Sequence, residues 1–276
     1  MNWIDHLQYI LDGSFFLVFV AFAAGAFFFF LERDRVPEDY RLAVRVSTIY
    51  LTIAAVNYYY MMDSYAAGDG YFPTSFRYID WILTTPLMLI KFPLLLGIGP
   101  KGVKFMTRLV VLDLIMIGTG FVGEIVPGVA AVHYGMFLLG CIAWLLIVVS
   151  MVQALGELPD RLGPAARKAV RTMSMFIVIG WAIYPLGYLA PLMEVPFEVR
   201  ELIYNVGDLG NKVGLCLVVY FAAKRTMVER AEEADVPSRP PAEYYEPNTP
   251  AVVPDYYRSE PPRAAAEATG DWVPDA

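Results

Sequence analysis

Apolar residues gather in seven long stretches, at about 13–31, 41–63, 76–98, 104–126, 129–155, 168–192 and 198–223. A helix that crosses a bilayer needs roughly 20 mostly apolar residues, within a range of about 17–25, so the pattern predicts seven spans. Only helices or closed barrels satisfy their own backbone in lipid, and stretches of this length make the fold class an all-α bundle. The connections carry breakers: Val36-Pro37-Glu38-Asp39, Gly68-Asp69-Gly70, Gly97-Ile98-Gly99-Pro100, Pro127-Gly128 and Leu158-Pro159-Asp160. No internal repeat is evident.

The pattern changes at about residue 231, which divides a membrane domain (1–230) from a tail (231–276). The tail is rich in Pro, Glu and Ala, includes Pro240-Pro241 and Pro261-Pro262, and lacks the apolar content to bury itself. It is expected to be disordered and cytoplasmic. Its Tyr244, Tyr245, Tyr256, Tyr257 and Trp272 read first as solvated residues; the alternative is docking points for a cytoplasmic partner.

Composition agrees with this division. Of 276 residues, 57% are hydrophobic and 18% charged, too apolar for a soluble domain of this size. The net charge of −7 is concentrated in the tail, and nothing points to nucleic acid. Cys141 and Cys216 lie within apolar runs as small buried hydrophobes, and with only His6 and His133 no metal site is expected. The N-terminus lacks the basic region and cleavage site of a signal peptide. Lipid is the first expected partner.

Basic residues set the orientation. Arg33, Arg35, Arg41 and Arg45 surround the first connection, Lys101, Lys104 and Arg108 the third, and Arg161, Arg167, Lys168 and Arg171 the fifth. Lys224, Arg225 and Arg230 follow the last span. Odd-numbered connections are therefore expected in the cytoplasm, with the N-terminus outside and the C-terminus inside.

Arg77, Lys91 and Lys212 fall at or within the membrane, where an ionisable group marks a functional site by default. Asp208 and Lys212 are four residues apart and share a helix face. So do Asp80 and Thr84 on the third span, where Lys91 lies about 16 Å beyond Asp80 at ~1.5 Å per residue. One buried amine thus has two carboxylates and Arg77 on its outer side, which allows it to keep its charge. A buried lysine is also the residue that forms a Schiff base with a carbonyl compound. The plainer alternative is an ion network that holds the bundle together. Tyr78, Trp81, Trp181, Tyr184 and Tyr188 read as ordinary core or as a slot for a long, flat, apolar ligand.

Four segments carry a family resemblance: Arg77-Tyr78-x-Asp80-Trp81-x-x-Thr84-Thr85-Pro86, Asp113 through Gly120, Trp181-x-x-Tyr184-Pro185 and Asp208-x-x-x-Lys212. Together they resemble the microbial (type 1) rhodopsins, over roughly residues 5–228. The resemblance implies all-trans retinal joined to Lys212 as a protonated Schiff base in a slot lined by Trp81, Thr85, Met116, Trp181, Tyr184 and Tyr188. Met88 would stand where these proteins tune colour, toward green. Asp80 would be the proton acceptor, Asp208 the second counterion, and Arg77 an outward relay of charge. Such proteins are transporters or photosensors in a prokaryotic plasma membrane rather than enzymes, and homo-oligomers are common among them.

Three positions depart from the usual pattern. Lys91 stands where proton pumps keep a carboxylic acid, and resembles a small Asp-Thr-Lys group (here Asp80, Thr84, Lys91) in which the lysine returns the proton. The alternative is a lysine that snorkels to the interface. Asn57 stands where proteorhodopsin-like proteins keep a histidine. Arg200 occupies one of two places usual for release glutamates, and Glu194 or Glu201 matches the other loosely. The leading expectation is a light-driven outward proton pump. A slow photosensor acting through a cytoplasmic partner is second, and a retinal-free transporter or scaffold third.

Overall fold

A computed structural model of the protein describes residues 3–68, 74–97, 99–126 and 129–235. The tail expected beyond residue 230 lies outside the described residues from 236 onward, as do the connections at 69–73, 98 and 127–128. Every regular element among the described residues is a helix, with no strand.

Seven rods follow one another. The first two are α1 (Trp3–Glu32) and α2 (Glu38–Ala67). The third joins α3 (Thr74–Leu89) to α4 (Lys91–Leu96); α5 (Pro100–Ile125) and α6 (Ala130–Gly156) are continuous. The sixth rod comprises α7 (Pro164–Val178), a 3₁₀ turn (Gly180–Ala182), α8 (Ile183–Leu189) and a second 3₁₀ turn (Ala190–Met193). The last rod is α9 (Phe197–Asp235), which runs on past the apolar stretch that ends near residue 223.

Local chemistry sets these limits. Pro100 and Pro164 stand in the first turns of α5 and α7, where a missing N–H costs nothing. Gly97, at φ 93, ends α4 in a conformation that only glycine adopts freely. Pro86 lies inside α3 without ending it. The sixth rod loosens at Gly180, whose carbonyl accepts a hydrogen bond from Asn211 Nδ2 at 3.1 Å, so a freed backbone group is satisfied from α9.

Six rods have the length and apolarity of membrane spans; α1 reaches a mean hydropathy of 2.5. The exception is α2, which carries polar residues along its length; of these, Tyr40, Ser47, Tyr50, Asn57 and Tyr58 are buried. The bundle is inverted relative to a soluble protein. Phe16, Phe27, Leu138, Val206 and Phe221 stand outward, each more than half exposed, as lipid-facing residues do. Inside, Leu11, Phe15, Phe22, Leu51, Met173 and Leu215 form the core that packs around the polar centre.

Candidate functional site

The centre of the bundle is a salt bridge with three members. Lys212 Nζ on α9 lies 2.5 Å from Asp80 Oδ2 on α3 and 2.9 Å from Asp208 Oδ2 one turn away. All three residues are at most 1% exposed. Removing charges from water costs several kcal/mol each, and only close, hydrogen-bonded opposite charges offset it.

The two carboxylates are held differently. Asp208 accepts from Tyr58 at 2.9 Å, Tyr184 at 2.7 Å and the indole of Trp81 at 3.1 Å, besides Lys212. Its oxygens are saturated with donors. Asp80 Oδ2 takes Lys212 alone, and Asp80 Oδ1 has no partner among the described residues. Thr84, completely buried below it, turns its hydroxyl to the Asp80 main-chain oxygen at 2.8 Å.

Arg77 bridges this centre to a third acid. Its Nη1 lies 3.8 Å from Asp208 Oδ2 and 3.2 Å from the Tyr58 hydroxyl. Its Nη2 and Nε donate to Glu201 at 2.7 and 3.0 Å, and Nη2 also reaches Asn205 at 2.9 Å. Glu201 is itself 2% exposed.

Beside the centre is an apolar cavity of about 90 Å³. Trp81, Thr85, Met116, Trp181, Tyr184 and Tyr188 line it, all of them residues expected for a ligand slot. Trp81 and Tyr184 also bind Asp208, so a single layer of aromatic rings separates the cavity from the ion triad. Met88 is not on this wall; it packs, 1% exposed, in the main core.

A family model described as Bacteriorhodopsin-like protein matches residues 10–226. The chain belongs to this family. Green-light absorbing proteorhodopsin from Gamma-proteobacterium EBAC31A08 is 35% identical over 216 residues, 76% of this chain and 85% of that one. Blue-light absorbing proteorhodopsin from Gamma-proteobacterium Hot 75m4 is 36% identical over 217 residues, 76% and 84% of the two chains. The crystal structure of Exiguobacterium sibiricum rhodopsin aligns with a TM-score of 0.71 at 39% identity, over 80% of this chain and 99% of that one. This bacteriorhodopsin-like chain is accordingly a multi-pass protein of the plasma membrane.

Three features of this site were left open or unseen in the sequence. Asn57 donates to the Ile53 main-chain oxygen of its own helix at 3.0 Å, and the α2 residue that reaches the acids is its neighbour Tyr58. Glu201, rather than the exposed Glu194, is the acid paired with Arg77. On the cavity wall, Thr85 donates to the wholly buried Asp113 at 2.8 Å, tying α3 to α5. Lys91, on the far side of Lys212 from Arg77, is fully buried and does not snorkel.

Proposed function

We infer that this chain is a light-driven outward proton pump with retinal carried on Lys212. The observation that supports this reading best is the asymmetry around the Lys212 nitrogen. A saturated carboxylate and a carboxylate with a free oxygen face it at 2.9 and 2.5 Å.

The residues fit the cofactor. Lys212 is a buried amine beside a cavity walled by aromatic rings, and its two acids balance the charge that a protonated linkage carries. When bound, retinal would supply visible absorption and the light-driven change of shape.

The chain's own groups account for the proton's path. Of the two carboxylates that face Lys212, Asp80 accepts the proton from its nitrogen, because Asp80 keeps an oxygen, Oδ1, free of donors while both oxygens of Asp208 are engaged. Asp208 keeps its charge as the standing partner, fixed by Tyr58, Tyr184 and Trp81. Once Asp80 is neutral, Arg77 is drawn less toward the centre and more toward Glu201, which moves positive charge away from Lys212. With the N-terminus outside, as the basic residues imply, that direction is outward. Lys91 is positioned on the opposite side to return a proton. The apolar Met88 favours green absorption.

Cells that express the protein should become coloured on addition of retinal. Their illumination should acidify an unbuffered medium, and a protonophore should abolish the effect. A colourless protein would overturn the retinal assignment. Colour without acidification would overturn the pump and favour a photosensor, a reading supported by the lysine in place of a carboxylic donor and by a tail outside the described residues.

A further inference from the structure

The groups around Lys91 form a second polar cluster that the acceptor side does not use. Lys91 Nζ donates to the Tyr50 hydroxyl at 2.9 Å and to Ser47 Oγ at 3.1 Å, and Cys216 Sγ lies 4.0 Å away. The same Tyr50 oxygen is 2.9 Å from the Lys212 main-chain oxygen and 2.7 Å from Cys216 Sγ. Ser47, Tyr50, Lys91 and Cys216 are each at most 1% exposed.

Counting hydrogens fixes the directions. The Lys212 carbonyl can only accept, so it takes the one hydrogen of the Tyr50 hydroxyl. The Cys216 thiol must then donate to Tyr50, whose oxygen accepts from Lys91 as well. Tyr50 is thereby fully used: two bonds accepted, one donated. Its ring also faces the amine, with Lys91 Nζ 4.8 Å from the ring centroid.

We propose that Tyr50 is a positioning residue for the return of the proton to Lys212, holding the Lys91 amine against the main chain of the very residue to be reprotonated. This rests on the pump reading above. Lysine has a flexible four-carbon stem that readily carries its nitrogen toward a membrane surface. Lys91 begins a new helical segment at the α3–α4 break, so its backbone alone does not fix where the amine points. Tyr50 supplies that direction. Because its anchor is the Lys212 carbonyl, a movement of α9 at Lys212 reaches the Lys91 amine through one hydroxyl group. In the return step the Lys91 ammonium loses one N–H proton and becomes a neutral amine, the Lys212 nitrogen gains that proton, and no electrons are exchanged. Lys91 is then recharged from solvent on its own side of the bundle.

Tyr50→Phe keeps the ring and removes the hydroxyl. In the full-length, retinal-loaded protein, flash spectroscopy should show loss of the Lys212 proton at the wild-type rate. Its return should slow by at least about tenfold, equivalent to ~1.4 kcal/mol of barrier. A wild-type return rate, or equal slowing of both steps, would overturn the proposal, since a purely structural role would affect both. A second readout needs neither retinal nor a Tyr50 variant. The infrared S–H stretch of Cys216, assigned by its disappearance in Cys216→Ala, should lie at the frequency of a strongly hydrogen-bonded thiol. A free-thiol frequency would refute the network. Failure of the wild type to acidify the medium would instead bring down the pump reading, which separates the two.

Discussion

Lys212 and Lys91 are both withdrawn from solvent, at 1% and 0% exposure, yet the bundle accommodates them by opposite means. Lys212 has two carboxylates within 2.9 Å, and Arg77 and Glu201 extend the network. Lys91 has a tyrosine, a serine and a cysteine, and no carboxylate within ion-pair distance among the described residues. A strong buried pair is costly to break, so a group held that way keeps its charge at rest. An amine held by neutral donors and acceptors leaves no uncompensated carboxylate behind when its proton departs. The first arrangement suits a nitrogen that must remain protonated until light arrives. The second suits one that takes up and releases a proton in each cycle.

The comparison can be broken most severely at Lys212 itself. Lys212→Ala should abolish colour at any retinal concentration, measured as visible absorbance of the purified protein. It also leaves Asp80 and Asp208 facing each other without their cation, and should lower stability by about 3–5 kcal/mol, the usual cost of orphaning a buried charge. Retained colour would exclude Lys212 as the attachment point. Asp80→Asn comes next. The amide cannot take the proton, so light-driven acidification should fall by at least about a hundredfold, or ~2.7 kcal/mol. Colour should persist and move to longer wavelength, because a negative charge that favours the ground state is gone. Undiminished acidification would mean that Asp208 or another group is the acceptor.

The Lys212 ion triad and Lys91 itself were legible in the sequence, but the partners of Lys91 were not, for a physical reason. Asp80, Asp208 and Lys212 are ionisable residues inside apolar runs, and a charge in such a setting stands out. The four-residue spacing of Asp208 and Lys212 places them on one face without further information. Tyr50 and Cys216 give no such signal, since each passes for ordinary core until the packing of α2 against α9 brings them to 2.7 Å. Tyr58 was obscured by its neighbours, because Asn57-Tyr58-Tyr59-Tyr60 offers four polar-edged side chains and only the helix phase selects the one that faces Asp208. Glu201 stood in the sequence only as a loose candidate beside Glu194: it lies one residue from Arg200, and which of the two points inward depends on how α9 is rotated. The break at Gly180 was likewise invisible, because Gly180-Trp181 reads as continuous helix. Asn211, one residue before Lys212, holds the freed carbonyl.

A milder change sharpens the comparison at Lys91. Lys91→Ala removes the amine and should leave the first transfer to Asp80 untouched, since the two sites share no charge partner. Return of the proton should slow by at least about tenfold, ~1.4 kcal/mol of barrier, as followed by flash spectroscopy. An unchanged return rate would remove Lys91 from the pathway.

The smallest effect is expected where the charged network is most redundant. Glu201→Gln leaves Arg77 its bonds to Asn205 and Tyr58 and its attraction to Asp208, and the amide oxygen still accepts from the guanidinium. What is lost is one negative charge facing a buried Arg77, and hydrogen bonds to charged groups are worth about 1.5–3 kcal/mol, an upper range for the fall in stability on thermal unfolding in detergent. Colour should be unchanged, because Glu201 does not touch Lys212. If the pull of Glu201 helps to carry Arg77 away from the centre, the proton should appear outside more slowly, by about threefold (~0.65 kcal/mol), as read by a pH-sensitive dye at the membrane surface. An unaltered dye signal with reduced stability would make Glu201 a purely structural partner of Arg77, and would confine the working charges of the network to Asp80, Asp208, Arg77 and Lys212.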